Sequence, residues 1–114
     1  MERGHTSVTL TIAPSGNEST PLATHQYAGG IVHMPAAWTS ASLGFKVASE
    51  VTGTFLPLYD EYGSLVQITP SASRAYNLPE AIFAARYIKL WSQNGSGTNT
   101  AQEAARSLIV DLKA

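Results

Sequence analysis

The sequence has no cysteine, few charges and no long apolar run, and each absence excludes a class of protein. Without Cys, neither a disulfide framework nor a thiolate zinc site can form. Charged residues make up 13% of the chain, about half of the roughly 25% usual in globular domains. The seven basic and eight acidic residues are spread along the whole length, for a formal net charge of −1. No basic stripe of the kind needed for phosphate neutralisation exists, so nucleic acid is not an expected partner. Met1-Glu2-Arg3-Gly4-His5 leads straight into an alternating stretch rather than the unbroken apolar segment of a signal peptide. No run approaches the ~18 apolar residues of a membrane span. The expectation is a complete product, made inside the cell and not attached to a membrane.

What is present suits one domain. The 114 residues, 44% of them hydrophobic, are enough for a single core without staples. Short apolar runs recur between turn residues. Ser7 to Ile12 alternates strictly, with Val8, Leu10 and Ile12 on one face, the mark of a half-buried strand. Ala28 to Met34 is a second strand, opened by Gly29-Gly30, which predicts a bulge or a close backbone approach, and ended by Pro35. Leu43 to Ala48 alternates with Leu43, Phe45 and Val47 inward, and Thr54 to Tyr59 carries Pro57, which places it at an edge. Asp60-Glu61-Tyr62-Gly63 has the composition of a hairpin turn from which Leu65 to Ile68 returns.

Arg74 to Leu78 is a further strand, and Pro79 to Ala84 a turn of helix with Pro at its first position. Arg86 to Trp91 alternates, and so does Arg106 to Leu112, where Leu108, Val110 and Leu112 face in and Ser107, Ile109 and Asp111 face out. Ser92 to Thr100 reads as a flexible polar loop, and Ala101 to Ala105 has the composition of a helical turn. About eight strands and no long helix predict an all-β, antiparallel, jelly-roll-like β-sandwich. One domain over 1–114 is expected, with a short N-terminal arm over about 1–6.

Two resemblances rest on these segments. Leu43-Gly44-Phe45-Lys46-Val47-Ala48-Ser49, then Phe55 to Asp60, then Phe83-Ala84-Ala85-Arg86-Tyr87-Ile88-Lys89-Leu90 before a last aliphatic strand, resemble the discoidin-like (galactose-binding-like) jelly roll over roughly residues 43–112. Ile31 to Thr39, with its Met34-Pro35-Ala36-Ala37-Trp38-Thr39, followed by Leu58 to Gly63 and Arg86 to Leu90, is similar to small bacteriophage structural proteins. That second resemblance spans most of the chain and implies a virion component made in the host cytoplasm: a capsid decoration (cement) protein, a neck protein or a fibre module. Of these the capsid decoration role is expected. Its implied partners are the major capsid protein or other virion proteins and further copies of the chain, a trimer by preference because icosahedral shells offer local three-fold positions. The alternative is a carbohydrate-binding module at a fibre or capsid tip that recognises a host glycan.

The residues supply little catalytic chemistry. His5, His25 and His33 fall in an arm, a loop and a strand, without the spacing of a metal site. No Gly-x-Ser-x-Gly elbow accompanies the serines. No enzymatic activity, cofactor or metal is expected. Asp60-Glu61 fits calcium at a loop, but Asp and Gly suit a plain turn equally well, and the turn is the expected reading. Trp38, Tyr59, Tyr62 and Trp91 have the flat rings of a sugar platform. Against that, Phe45, Phe55, Tyr87 and Trp38 are needed to fill a small core. Arg86 and Lys89 read as a solvated face rather than a basic docking patch. The residues expected to contact a partner are Arg3, His5, Trp38, Tyr62 and Trp91.

Overall fold

The computed structural model describes residues 5–114. Nine strands occur among them: β1 (His5–Ile12), β2 (Leu22–Ala23), β3 (Gly29–His33), β4 (Ser42–Ala48), β5 (Leu56–Pro57), β6 (Gln67–Ile68), β7 (Ala75–Asn77), β8 (Tyr87–Gln93) and β9 (Arg106–Lys113). The helical signal at Pro79 becomes a 3-10 turn, Glu80–Ala84, behind Pro79. No helix is long and apolar enough to cross a membrane.

The strands form two antiparallel sheets. Sheet A has the order β1-β9-β3-β7, and sheet B the order β2-β8-β4-β5 with β6 also paired to β4. The partnerships nest: β1 with β9, β2 with β8, β3 with β7, and β4 with both β5 and β6. This is the connectivity of one long hairpin wrapped over itself, which defines a jelly roll. The count is nine rather than about eight because two-residue β2, paired with β8, was not expected. Pro57 cannot donate a ladder hydrogen bond, so β5 lasts two residues, and the chain turns through Asp60–Gly63 before β6 rejoins β4.

Period-two alternation explains the core. Leu10, Ile12, Val32, Leu108, Val110 and Leu112 point inward from sheet A and meet Leu22, Leu43, Phe45, Ile88 and Leu90 from sheet B; Met34, Leu78 and Ile82 close the ends. All are buried. At ~25 cal/mol per Å² of apolar surface, these side chains supply the main driving force for folding. The Gly29-Gly30 expectation is met at Gly30, where an added Cβ would lie 2.7 Å from the Asp111 carbonyl oxygen and 3.1 Å from both Leu112 and Leu78.

Three expectations need correction. The N-terminal arm is not free up to Thr6, because His5 pairs with Lys113 and Thr6 with Leu112. Ala101 to Ala105 forms no helical turn; instead Gln102 is fully buried and donates to Thr39 O (3.1 Å) and Ser92 Oγ (2.9 Å). Its Oε1 accepts from Thr39 N–H (2.9 Å) and Arg106 Nε (3.1 Å), which ties the β3–β4 connection to β8 and β9. Finally, Phe55 and Tyr87 are not among the buried core: Phe55 lies half-buried beneath Lys89, and half-buried Tyr87 meets His25 edge-on.

Candidate functional site

The outward faces of the two sheets are built differently. On sheet B, the outward residues of β8 are Lys89, Trp91 and Gln93, yet Trp91 is 2% exposed and Gln93 is fully buried. Trp91 lies across Gly44, its partner on β4; an added Cβ there would come within 2.9 Å of the indole. The indole N–H donates to Asn99 Oδ1 (2.7 Å), and Lys46 Nζ sits 4.8 Å from the ring centroid. Gln93 Oε1 accepts from the N–H groups of Gly95 (2.6 Å) and Gly97 (3.0 Å), and its Nε2 donates to Gln67 Oε1 (2.6 Å). Gly95 and Gly97 have φ of +97° and +90°, conformations that L side chains resist.

The segment expected to be a flexible loop is therefore an ordered cap. Asn94 Oδ1 also accepts from Ser96 N–H at 2.8 Å. Beside it, Glu18 bridges Lys46 (2.5 Å) and Lys89 (3.5 Å). Partial burial pushes the Glu18 carboxyl up, but the hydrogen bond and charge of Lys46, helped by Lys89, outweigh it and hold the group below its ordinary value. Lys89 is thus committed to Glu18 and to the Phe55 ring, 4.6 Å away.

The outward face of sheet A is open. Its rows follow from the register: His5, Lys113 and Gly29; then Ser7, Asp111, Ile31 and Asn77; then Thr9, Ile109, His33 and Ala75. Ile31 and Ile109 are 43% and 47% exposed. Asp111 is the hub: Ser7 Oγ donates to Oδ1, and His33 Nε2 lies 2.7 Å from Oδ2. The hydrogen bonds from Ser7 and His33, with the nearby charges of His33 and His5, hold the Asp111 carboxyl below its ordinary value. This is not a nucleophile–base relay, in which the histidine must stand between serine and carboxylate. Here the carboxylate stands between them, so the row is a cross-strand clamp on a wet face. Where Gly29 contributes no side chain, a shallow depression of 580 Å³ opens between His5, Ile31, Asn77, Asp111 and Lys113.

The residues expected to contact a partner lie in separate places. Arg3 falls outside the described residues. His5 lies on the open face of sheet A and lines its depression. Trp38 is half-buried against the core, with its indole N–H donating to Ala41 O at 3.3 Å. Trp91 is enclosed on sheet B. Tyr62 is 87% exposed at the tip of a turn that Asp60 organises, its Oδ1 accepting the N–H groups of Tyr62 and Ser64, both at 2.9 Å. Sequence reasoning missed the Ser7–Asp111–His33 row and the exposed isoleucines. Ile109 and Asp111 were already assigned to the outward side of their strand, but the β1, β3 and β9 register that assembles them is not encoded in local alternation.

No family model matches the chain, and no curated protein matches it. Among solved structures it is similar to the crystal structure of SPBc2 prophage-derived protein YomS. The TM-score is 0.60 at 10% sequence identity, over 100% of this chain and 98% of that chain. At that identity the likeness is one of fold, and it runs from end to end of both chains.

Proposed function

We propose that this chain is a structural component of a bacteriophage particle, acting as a capsid decoration protein that self-associates and docks on the assembled shell. The observation that carries the phage setting is the end-to-end likeness to a prophage-derived protein, which agrees with the resemblance of the Met34 to Thr39 segment to small phage structural proteins. The open face of sheet A supports docking through this surface. It is a broad face with two exposed isoleucines, framed by polar and charged groups that can hydrogen-bond to a protein partner. Binding free energy gained only on the assembled lattice stabilises the shell relative to its dissociated subunits. Repetition of sites raises the effective concentration, so modest single contacts suffice. The partners in this reading are the major capsid protein or other virion proteins, with no nucleic acid, membrane, cofactor or catalysis involved.

Cosedimentation of the purified protein with capsids that lack it provides the test. Saturation at a fixed copy number per shell is expected; absence of binding at near-physiological salt would refute the decoration role.

A second reading, recognition of a host glycan, is favoured by Tyr62 and Tyr59, which are 87% and 49% exposed on either side of the Asp60 turn. It has lost the tryptophans as a platform, since Trp91 is enclosed and Trp38 is packed on the core. A glycan array with wild type and Tyr62→Ala separates the readings: glycan binding abolished by the substitution supports the second.

A further inference from the structure

A sheet edge exposes unpaired N–H and C=O groups, and proteins blunt such edges with short strands, proline or charge. Three of the edges here are blunted. Sheet A ends at β7, three residues long; sheet B ends at β2, two residues long, and on its other side at β5 and β6, each of two residues, with Pro57 in β5. The remaining edge is β1, with eight residues. Only its C-terminal end is covered: Thr20 N–H donates to Thr11 O (3.2 Å), Thr11 N–H reaches Thr20 Oγ1 (3.5 Å), and Ile12 bridges Ser19.

Since Thr11 turns its backbone groups away from β9, the period-two pattern of an antiparallel strand turns those of Thr9, Ser7 and His5 the same way. Among the described residues nothing pairs with them. The stretch His5-Thr6-Ser7-Val8-Thr9 contains no Pro, Lys, Arg, Asp or Glu.

We propose that the β1 edge is a self-association surface, in which His5–Thr9 of two copies pair antiparallel about a two-fold axis and join two A sheets into one. A second copy is the occupant that fits. The stretch is free of carboxylates and of Lys or Arg, so two copies meet without fixed like-charge repulsion. An antiparallel strand is complementary to itself when rotated by a two-fold axis. With the axis at Ser7, Ser7 faces its equivalent and His5 faces Thr9 of the second copy, for roughly six backbone hydrogen bonds, two for each facing pair. Head-to-tail addition to β7 would be limited to that strand's three residues. The pairing closes on itself, which gives a dimer and not the trimer first expected, and leaves the outward face of sheet A accessible. It rests on the self-association part of the proposed function and is independent of capsid docking.

Sedimentation velocity over a micromolar to near-millimolar range tests it with two variants. Thr9→Pro removes an N–H that points to solvent in the monomer, where proline is tolerated on an edge; Thr9→Lys puts a charge beside the edge. A concentration-dependent dimer is expected for wild type, weakened at least about tenfold by Thr9→Pro and also by Thr9→Lys, with unchanged circular dichroism. Amide exchange supplies a readout that does not depend on the variants: the Ser7 and Thr9 N–H groups should be protected in concentrated wild-type protein and exchange on dilution. A monomer at every concentration, a trimer, or a dimer in which those amides exchange freely would each overturn the inference. Loss of capsid binding with the dimer intact would refute only the docking reading, whereas capsid binding by a strict monomer would refute only this one.

Discussion

The outward faces of sheets A and B start from the same two-residue alternation and end in opposite environments. On sheet B, segment 94–99 covers β8 while 17–19 pairs along its edge, so Trp91 and Gln93 form a second, smaller packed layer outside the sandwich. On sheet A nothing among the described residues covers β9, and its outward side chains are held by a hydrogen-bonded row in water, Ser7–Asp111–His33. The covered face holds structure together, whereas the open face leaves its side chains exposed to solvent. Exposed aromatics were the expected sign of function. One of the two tryptophans, Trp91, proves to be cover, and the open face of sheet A exposes Ile31, Ile109, His33 and Asp111 instead.

The sharpest way to break this contrast is to remove the tryptophan. Trp91→Ala would open a void between Gly44, Asn99 and the 94–98 turn, and large aromatic deletions from packed sites cost about 3–5 kcal/mol. Urea unfolding of the variant should show a loss of that order. A loss below about 1 kcal/mol would mean that the cover contributes little to folding, and the two faces would then differ only in appearance.

Next in size is Gln93→Leu. Its side chain closes the 94–98 turn by accepting from two glycine N–H groups and is itself fully buried. A leucine of similar volume leaves both N–H donors and the Gln67 Oε1 acceptor without that partner, for about 1–3 kcal/mol. Amide exchange at Gly95 and Gly97 should rise more than exchange in β9. Equal protection of the glycine amides in both proteins would show that the turn holds itself.

The overall architecture was legible in the sequence because inward-facing residues must be apolar with a period of two. Val8, Leu10 and Ile12, and likewise Leu108, Val110 and Leu112, could be placed on one face directly, and Pro57 did mark an edge. The two short strands on β4, either side of the Asp60 turn, were legible too, whereas two-residue β2 was not, since it is defined by pairing rather than by composition. The candidate surface was legible only in pieces. Alternation tells which side of a strand a residue occupies, but whether that side is wet depends on where distant loops settle. Ser92 to Thr100 has the composition of a mobile loop, yet its glycines adopt positive φ to reach the Gln93 amide, and the sequence carries no local sign of that partner.

A smaller effect concerns Glu18, whose ion pairs stitch the cover to β4 and β8. Its folded-state pKa lies below the ordinary carboxylate value, so its contribution is present above that ordinary value and is lost as pH falls through the lowered one. The side chain is partly exposed, and screening keeps the contribution to about 1 kcal/mol or less. Glu18→Gln should therefore be less stable than wild type near neutrality, and the two should converge in acid. A difference that persists to strongly acidic pH would place the role of Glu18 in packing and not in charge.

The smallest effect on stability is expected on the open face, and it bears most directly on function. Ile31 and Ile109 already give nearly half of their surface to water, and replacing both with serine removes no core contact between the sheets. Substitutions at such positions stay within about 0.5 kcal/mol each, so the double variant should unfold close to wild type. If the face docks on a shell, the same variant should lose cosedimentation with capsids, because the two isoleucines are its exposed aliphatic anchors. A fold left intact with binding lost would separate the two faces by role: sheet B bears the cover that stabilises, and sheet A bears the contact. Undiminished capsid binding by the double variant would move the docking surface elsewhere, with the Tyr59–Tyr62 turn as the next place to substitute.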